Sequence, residues 1–396
     1  GTIGRADVAR VTETGQGTIR FYSSWPLTGA SEQIGGDSVA AVQMALEDFG
    51  GAAGGFAIEY EALDDGLAQN NGAWDAGKEA ENANRVVNDP DAMVYIATYN
   101  SGAAAISIPI MNEAGMAMIS PANTYPGLTQ AVEGVTEEGE PDKYYPTGNR
   151  NYMRPTVADH LQGGATANWA IESGLGSAYI LHDNQLYGKG LAQAFRVYYE
   201  QLGGEVAGFE AYQPDAPDFQ ALATSIADRA PAMVYIGAIV NLNPGKLVQD
   251  LRSVMPPDQV TIVVPDGCFN QAFIESAGEA GEGTYVTFGG VPPVFLETEV
   301  GQDWLGRIRD RIGHDPDAYA TYAYESAIVA MQAIDQVRAK DRQQILDAMF
   351  ATANFNGLSG SYSFTETGDP DRPAIFLGQI RDGGFERVNF ITPPTT

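Results

Sequence analysis

Short apolar runs alternate with amphipathic stretches along most of the chain. Val39, Val42, Leu46 and Phe49 recur at spacings of 3, 4 and 3, and Leu191, Phe195, Tyr198 and Leu202 at 4, 3 and 4. Each set falls on one face of a helix. Each stretch stops at a glycine pair, Gly50-Gly51 and Gly203-Gly204, where the left-handed backbone that ends helices costs least. Strand-like runs precede and follow: Thr18–Tyr22, Ile58–Leu63, Ala178–Leu181 and Gly208–Tyr212. The pentapeptide AMVYI occurs twice, at Ala92–Ile96 and at Ala232–Ile236. After each copy come a loop, a helical stretch and a short strand, Met116–Ile119 and Val260–Val264. Each half therefore reads β-α-β-α-β-α-β, which predicts a parallel sheet with helices on both faces. Two such halves predict an α/β protein of two doubly wound lobes. Further on, Tyr324, Ile328, Met331 and Ile334 predict a helix near residues 318–340. Gly360–Phe364, Ile375–Arg381 and Phe385–Phe390 alternate as strands that return to complete the lobes.

Composition narrows the function classes. Lys and Arg number 22 against 51 Asp and Glu, a net charge of −29. A field of that sign repels phosphate backbones, so nucleic acid is excluded as a partner. No apolar run reaches the roughly 20 residues that span a bilayer. Residues 1–16 are polar, without the apolar centre of a signal peptide, and read as a flexible tail. Cys268 is the one cysteine, so no internal disulfide forms and no cysteine-rich metal site exists. His160, His182 and His314 are far apart and lack metal-ligand spacing. No cofactor motif is present: there is no P-loop, no G-x-S-x-G and no H-E-x-x-H.

In open parallel sheets, ligands bind where loops converge at the carboxyl ends of strands. In the first half those loops hold Ser24, Trp25, Asn100, Ser101, Asn123 and Thr124. In the second they hold His182 to Tyr187, Ile239 to Asn243, and Asp266 to Phe269. The division suits a zwitterion. A helix starting at Ser101 presents free N–H groups to an anion, and the Ser101 and Thr124 hydroxyls can donate to a carboxylate. Asp266 can accept charge-assisted bonds from an ammonium, with Trp25 and Tyr187 as apolar walls. Ser24, Asn100, Ile239 and Cys268 are further pocket candidates. Each has a structural alternative, since serine after a strand is also an N-cap and aspartate a turn former. His182-Asp183 as a general base, or Cys268 as a nucleophile, would make the cleft an enzyme. A loop histidine and a packed thiol are the preferred readings.

Further motifs carry a resemblance: PLTG at Pro26–Gly29, IEYEALDD after Gly54-Gly55, NSGAA at Asn100–Ala104 and MISPANT at Met118–Thr124. NYMRP with a later QGG, HDNQLYGKG at His182–Gly190, VVPDG and EGTYVTF complete the set. In this order the chain resembles the type I periplasmic binding proteins of the branched-chain amino-acid (leucine, isoleucine, valine) group, which serve ABC transporters. The resemblance runs along most of residues 17–390. It implies two lobes joined by three hinge crossings near residues 147, 288 and 355. Residues 17–147 with 289–355 would form one lobe, and 148–288 with 356–396 the other. It implies a ligand carboxylate at Ser101 and Thr124 with main-chain help near Asn123, an ammonium at Asp266, and the Tyr187 ring from the closing lobe. It also implies a periplasmic or extracellular monomer that partners ABC permease subunits, with a lipid anchor left open. Two features depart from the family: Ile239, Val240 and Asn241 stand where many relatives carry aromatics, and Asp266 is one methylene shorter than the usual glutamate. A ligand-sensing receptor, or a clamp for an aromatic or aliphatic carboxylate or an amide, stays open as an alternative.

Overall fold

The computed structural model describes residues 2–395. Strands β1 (Thr18–Trp25), β2 (Ala52–Ala53), β3 (Phe56–Asp64), β4 (Ala92–Ala97), β5 (Ala117–Ile119) and β6 (Tyr152–Met153) form one sheet, in the order β2-β3-β1-β4-β5-β6. All its pairings are parallel except the short β2 against β3. Strands β7 (Ser177–His182), β8 (Glu205–Ala211), β9 (Met233–Gly237), β10 (Thr261–Val264) and β11 (Tyr285–Gly289) belong to a second sheet. A small hairpin, β12 (Phe355–Gly357) and β13 (Gly360–Tyr362), follows. The chain then adds β14 (Ile375–Arg381) and β15 (Gly384–Ile391) to the second sheet, giving β15-β14-β11-β10-β9-β7-β8. The last two are antiparallel, so the expected parallel sheet gains an antiparallel edge. The edge arises because the chain re-enters this lobe through a hinge and a tight turn, not through a crossover helix.

Helices cover both faces of each sheet. They are α1 (Glu32–Asp48), α2 (Ala76–Val87), α3 (Ser101–Glu113), α4 (Asp159–Glu172), α5 (Leu186–Gln201), α6 (Gln220–Arg229), α7 (Pro244–Val254), α8 (Gln271–Ala277), α9 (Glu299–Ile312), α10 (Ala320–Val337) and α11 (Arg342–Phe350). Alternation along the strands sorts the cores. Phe21, Trp25, Val94 and Ile96 pack with α1, α10 and α11, while Tyr22 and Tyr95 face the α2–α3 layer. In the second lobe Leu181, Val234 and Ile236 join α6, α7 and α8, while Ile180 and Tyr235 pack against α5.

Ignoring edge additions, the strand orders β3-β1-β4-β5-β6 and β8-β7-β9-β10-β11 are the same order, so the two AMVYI copies occupy equivalent central strands. The glycine pairs also match. Gly51 N–H donates to Leu46 O and Gly204 N–H to Tyr199 O, each at 2.8 Å, closing α1 and α5 with the same motif.

Among the described residues the chain passes between the sheets three times. It leaves the first after Met153, since β6 pairs with β5, and returns after Gly289. It crosses again between Tyr362 and Ile375, because Phe355, Leu358 and Tyr362 pack in the first lobe's core with α10. The expected crossings near 147 and 355 fall earlier than these strands allow, the signal of the two-residue β6 and the short hairpin being too brief to read. The N-terminal segment, expected as a flexible tail, is tied to α10 and its surroundings. Gly4 pairs with Asn356, Arg5 N–H donates to Gln332 Oε1 at 2.8 Å, and Val11 N–H to Asp335 Oδ1 at 3.0 Å. No helix among the described residues is long and apolar enough to cross a membrane.

Candidate functional site

Each lobe has a point where strand order reverses, between β1 and β4 and between β7 and β9, and loops leaving those strands meet between the lobes, Asn241 after β9 reaching Ser31 after β1. On the first lobe, the loop after β5 is held rigidly. The Asn123 amide donates to Thr98 Oγ1 at 3.2 Å and to Tyr99 O at 3.0 Å, and accepts from Tyr152 OH at 3.0 Å. Its carbonyl accepts from Arg154 and Thr156. Asn123 thus positions the loop, with its side chain committed inside the lobe. Ser101, the first residue of α3, accepts from Tyr125 N–H at 3.2 Å, which leaves its own hydroxyl proton to donate elsewhere. Beside it, Asn100 Oδ1 is buried without a hydrogen-bond partner. Thr124 Oγ1 donates to Asp159 Oδ2 at 2.9 Å.

On the second lobe, Asp266 is buried and richly bonded. Its Oδ1 accepts from Tyr187 OH at 2.5 Å and from Gln162 Nε2 at 3.0 Å; its Oδ2 accepts from Tyr319 OH. Tyr187 OH also accepts from Gly267 N–H at 2.9 Å, which orients it. Tyr319 precedes α10 of the first lobe and meets the Tyr99 ring edge-on, centroids 5.3 Å apart. Burial pushes the Asp266 carboxyl above its ordinary range, opposed by the bonds from Tyr187, Tyr319 and Gln162. Asp159, the first residue of α4, is pushed well up by burial and by the Asp266 charge.

The structure thus links Thr124 to Asp266 and Tyr187 through Asp159 and Gln162, with Ser101 joined to the same loop through Tyr125 N–H and Asn123 inside the lobe behind it. Other candidates lie apart. Ser24 faces the α2–α3 layer by strand alternation and donates to Glu79 Oε2 at 2.6 Å. Trp25 faces the opposite layer, its indole N–H on Gly35 O at 3.0 Å. Ile239 packs in the α5 core while its N–H donates to Asp183 at 3.1 Å. Cys268 is buried against Ala238 O, its thiol pushed well up by burial. The thiolate needed of a nucleophile is therefore disfavoured. His182 is pushed down to about 4 by burial and by Lys189, and its ring accepts from Asn184 N–H at 3.1 Å. Asp183, pushed up to about 7 by burial, caps the Gln185 and Ile239 amides. Both His182 and Asp183 are occupied in holding the β7 loop.

Sequence reasoning missed Asp159, Gln162 and Tyr319. None follows a predicted strand. The signal available was an aspartate at a helix start with glutamine three residues on, and a tyrosine ahead of a long apolar helix.

The rims of the lobes touch on both sides of this cluster. Asn241 Nδ2 donates to Ser31 Oγ and Asn71 O, each at 2.9 Å, and Gln193 Nε2 donates to Gly134 O at 2.9 Å.

A family model described as periplasmic binding protein matches residues 18–384. A Leu/Ile/Val-binding protein homolog from Brucella abortus is 26% identical over 366 residues, covering 92% of this chain and 91% of that one. A leucine-, isoleucine-, valine-, threonine- and alanine-binding protein from Pseudomonas aeruginosa is 25% identical over 355 residues, 89% and 87% of the two chains. The crystal structure of a leucine-binding protein from Thermotoga maritima superposes with a TM-score of 0.82 at 23% identity, covering 95% of this chain and 99% of that one. By its two-lobed fold and by a match spanning nearly its whole length, this chain belongs to the periplasmic binding protein family.

Proposed function

We propose that this protein is the periplasmic or extracellular solute-binding component of an ABC transporter, and that it closes on a free amino acid. One observation carries the reading: a richly bonded acidic group, Asp266 of the second lobe, is linked through Gln162 and Asp159 to the Thr124 hydroxyl of the first, next to the loop that bonds Ser101 at the start of α3. The ligand carboxylate lies at Ser101, Thr124 and the α3 N-terminus, where free N–H groups favour an anion. The ammonium lies at Asp266, with Tyr187 and Tyr319 closing over it. The amino-acid relatives named above support the same ligand class. Closure excludes water, so these few charged contacts gain strength. A membrane permease reads the closed form, and the protein acts as a monomer. Trp25, packed inside its lobe, supports the wall only indirectly. The thiol and the imidazole considered above for chemistry, Cys268 and His182, are held unreactive by burial, in keeping with a protein that binds its ligand and leaves it unchanged.

The test is a thermal-shift panel of free amino acids, each paired with its analogue lacking the α-amine. Ligand at 100 times Kd adds about 2.7 kcal/mol of stability, enough for a visible shift. Amino acids that shift the protein while their partners do not support the assignment. Shifts by the des-amino carboxylates alone move the reading to a carboxylate binder. Asp266→Ala is expected to weaken the best amino acid by about 2 kcal/mol or more, some 30-fold, as for loss of one member of a buried charge pair. Unchanged affinity in a calorimetric titration of that variant rules Asp266 out as the ammonium site.

A further inference from the structure

Asp159 and Asp266 sit together at the centre of the cleft, 0% and 2% exposed. A single amide nitrogen, Gln162 Nε2, stands 3.0 Å from an oxygen of each. Gln162 cannot offer more. Its Oε1 accepts from Thr287 Oγ1 at 2.8 Å and from Asp266 N–H at 3.4 Å, which fixes the amide's orientation. The other partners are hydroxyls: Thr124 on Asp159, and Tyr187 and Tyr319 on Asp266.

Apart from the more distant charge of Arg154, which favours ionised Asp159, the groups facing this pair offer no counter-charge. They are Tyr187 of α5, Tyr235 of β9, Tyr99 after β4, Tyr319 ahead of α10 and Cys268 in the loop of Asp266 itself, with Asp317 behind Tyr99 and Tyr319 and Asp183 behind Cys268. The nearest cation, Arg154, is bound to Asp369 at 2.8 Å. Among the described residues no lysine, arginine or histidine is bonded to either carboxyl. Two carboxylates this close, out of water and without a bonded cation, do not both ionise. Asp266 accepts three donors and Asp159 two, so Asp159 is the member that keeps a proton, and the Thr124 hydroxyl can turn to accept it. Burial and the Asp266 charge both push the Asp159 carboxyl up, and outweigh its bonds from Thr124 and Gln162 and the charge of Arg154.

We infer that Asp159 and Asp266 share one proton at neutral pH and that an incoming ligand ammonium expels it, so that binding is coupled to proton release. The inference rests on the reading of the ligand as an amino acid. The step balances: the carboxyl O–H bond breaks, its proton passes to a buffer base, and the ammonium supplies the positive charge and the N–H donors that replace it. The ligand carboxylate is met separately at the α3 end.

The test is calorimetric titration of the whole chain with L-leucine, and failing that with each remaining common amino acid. Titrations run at one pH near neutrality in phosphate, imidazole and Tris, whose ionisation enthalpies differ. The expected result is an observed enthalpy that varies linearly with buffer ionisation enthalpy, with a slope of about one proton released. In parallel, affinity is expected to rise about tenfold per pH unit on the acidic side of the titration. Asp159→Asn is expected to bring the slope to zero. Binding with no dependence on buffer overturns the inference and leaves the amino-acid reading standing. Absence of binding by every amino acid overturns both. A full proton released by Asp159→Asn overturns the assignment to this pair. Should that variant not fold, the wild-type slope and its pH profile decide.

Discussion

Glu325 shows how one buried carboxyl writes a pH dependence into stability. It lies wholly inside the first lobe, accepting from Leu358 N–H at 2.6 Å and from Tyr362 OH at 3.0 Å, and burial pushes it up to about 7. The folded state therefore holds a proton that the unfolded chain has already lost. The stability this group contributes is full below the unfolded carboxyl range near 4.5 and is lost as pH rises through about 7. Glu325→Gln removes the titration. In urea melts the variant is expected to gain on wild type between pH 5 and 7 by roughly 1.4 kcal/mol per pH unit. A difference that does not change with pH would exclude the buried acid. The same scale explains which site candidates were legible. Asp266 and Thr124 were marked by following strands, and strand ends do converge. Ser24 and Trp25 were marked by the same rule, yet neighbouring residues on a strand point to opposite faces, and both of theirs lead into helix layers. The rule gives the end of the strand and says nothing of the direction.

At the scale of elements, α5 is one part of the second lobe that meets the first. Tyr187 in its first turn bonds Asp266 of the same lobe, and nearly a full turn later Gly190 lies against the Tyr125 ring of the first lobe. A Cβ at position 190 would stand 2.5 Å from that ring, so the absence of a side chain there sets how near the lobes come. Gly190→Leu is expected to hold them apart while leaving each lobe folded, since leucine is a better helix former than glycine by about 0.8 kcal/mol. Small-angle scattering should then show a larger radius of gyration, and ligand-induced stabilisation should vanish with the melting temperature unchanged or raised. Normal closure in that variant would show that Tyr125 yields. Helices such as α1 and α5 were legible because apolar spacing and paired glycines agree. The first turn of α4 was not. Asp159 and Gln162 acquire their meaning only when the chain, having crossed between lobes, lays them against Thr124 and Asp266, a juxtaposition no local pattern encodes.

For the whole molecule, the repeated AMVYI strand was the most informative feature, since it placed equivalent centres in two sheets of the same order. The two edge strands were readable but their antiparallel pairing was not, and the positions of the crossings were hidden because strands of two or three residues carry too little pattern. Charge acts at this scale as well. With 51 acidic residues against 22 basic, the folded chain repels itself. Its ion pairs are largely exposed, Arg307 with Asp48 or Arg85 with Glu61, and such pairs contribute little. Raising sodium chloride from about 20 to 200 mM, which shortens the screening length to under ~10 Å, is therefore expected to raise the melting temperature by a few degrees. A fall would mean that the surface pairs outweigh the repulsion.

The Arg154–Asp369 pair has a further consequence for how such a molecule moves. Arg154 follows the first passage between sheets and Asp369 lies on the third. The guanidinium, 0% exposed, also holds Tyr125 O and Thr129 Oγ1 at 2.9 and 2.8 Å. Burial opposes the charge on Asp369, but Arg154 outweighs it and keeps that carboxyl below its ordinary range. Two of the three connecting segments are thus pinned to one another and to the loop that bears Thr124. The linkers do not act as loose tethers with many shapes to lose; they act as the pin of a door. Its swing has few degrees of freedom, so little of a ligand's binding free energy goes into ordering the frame, and more is left to tell one ligand from another.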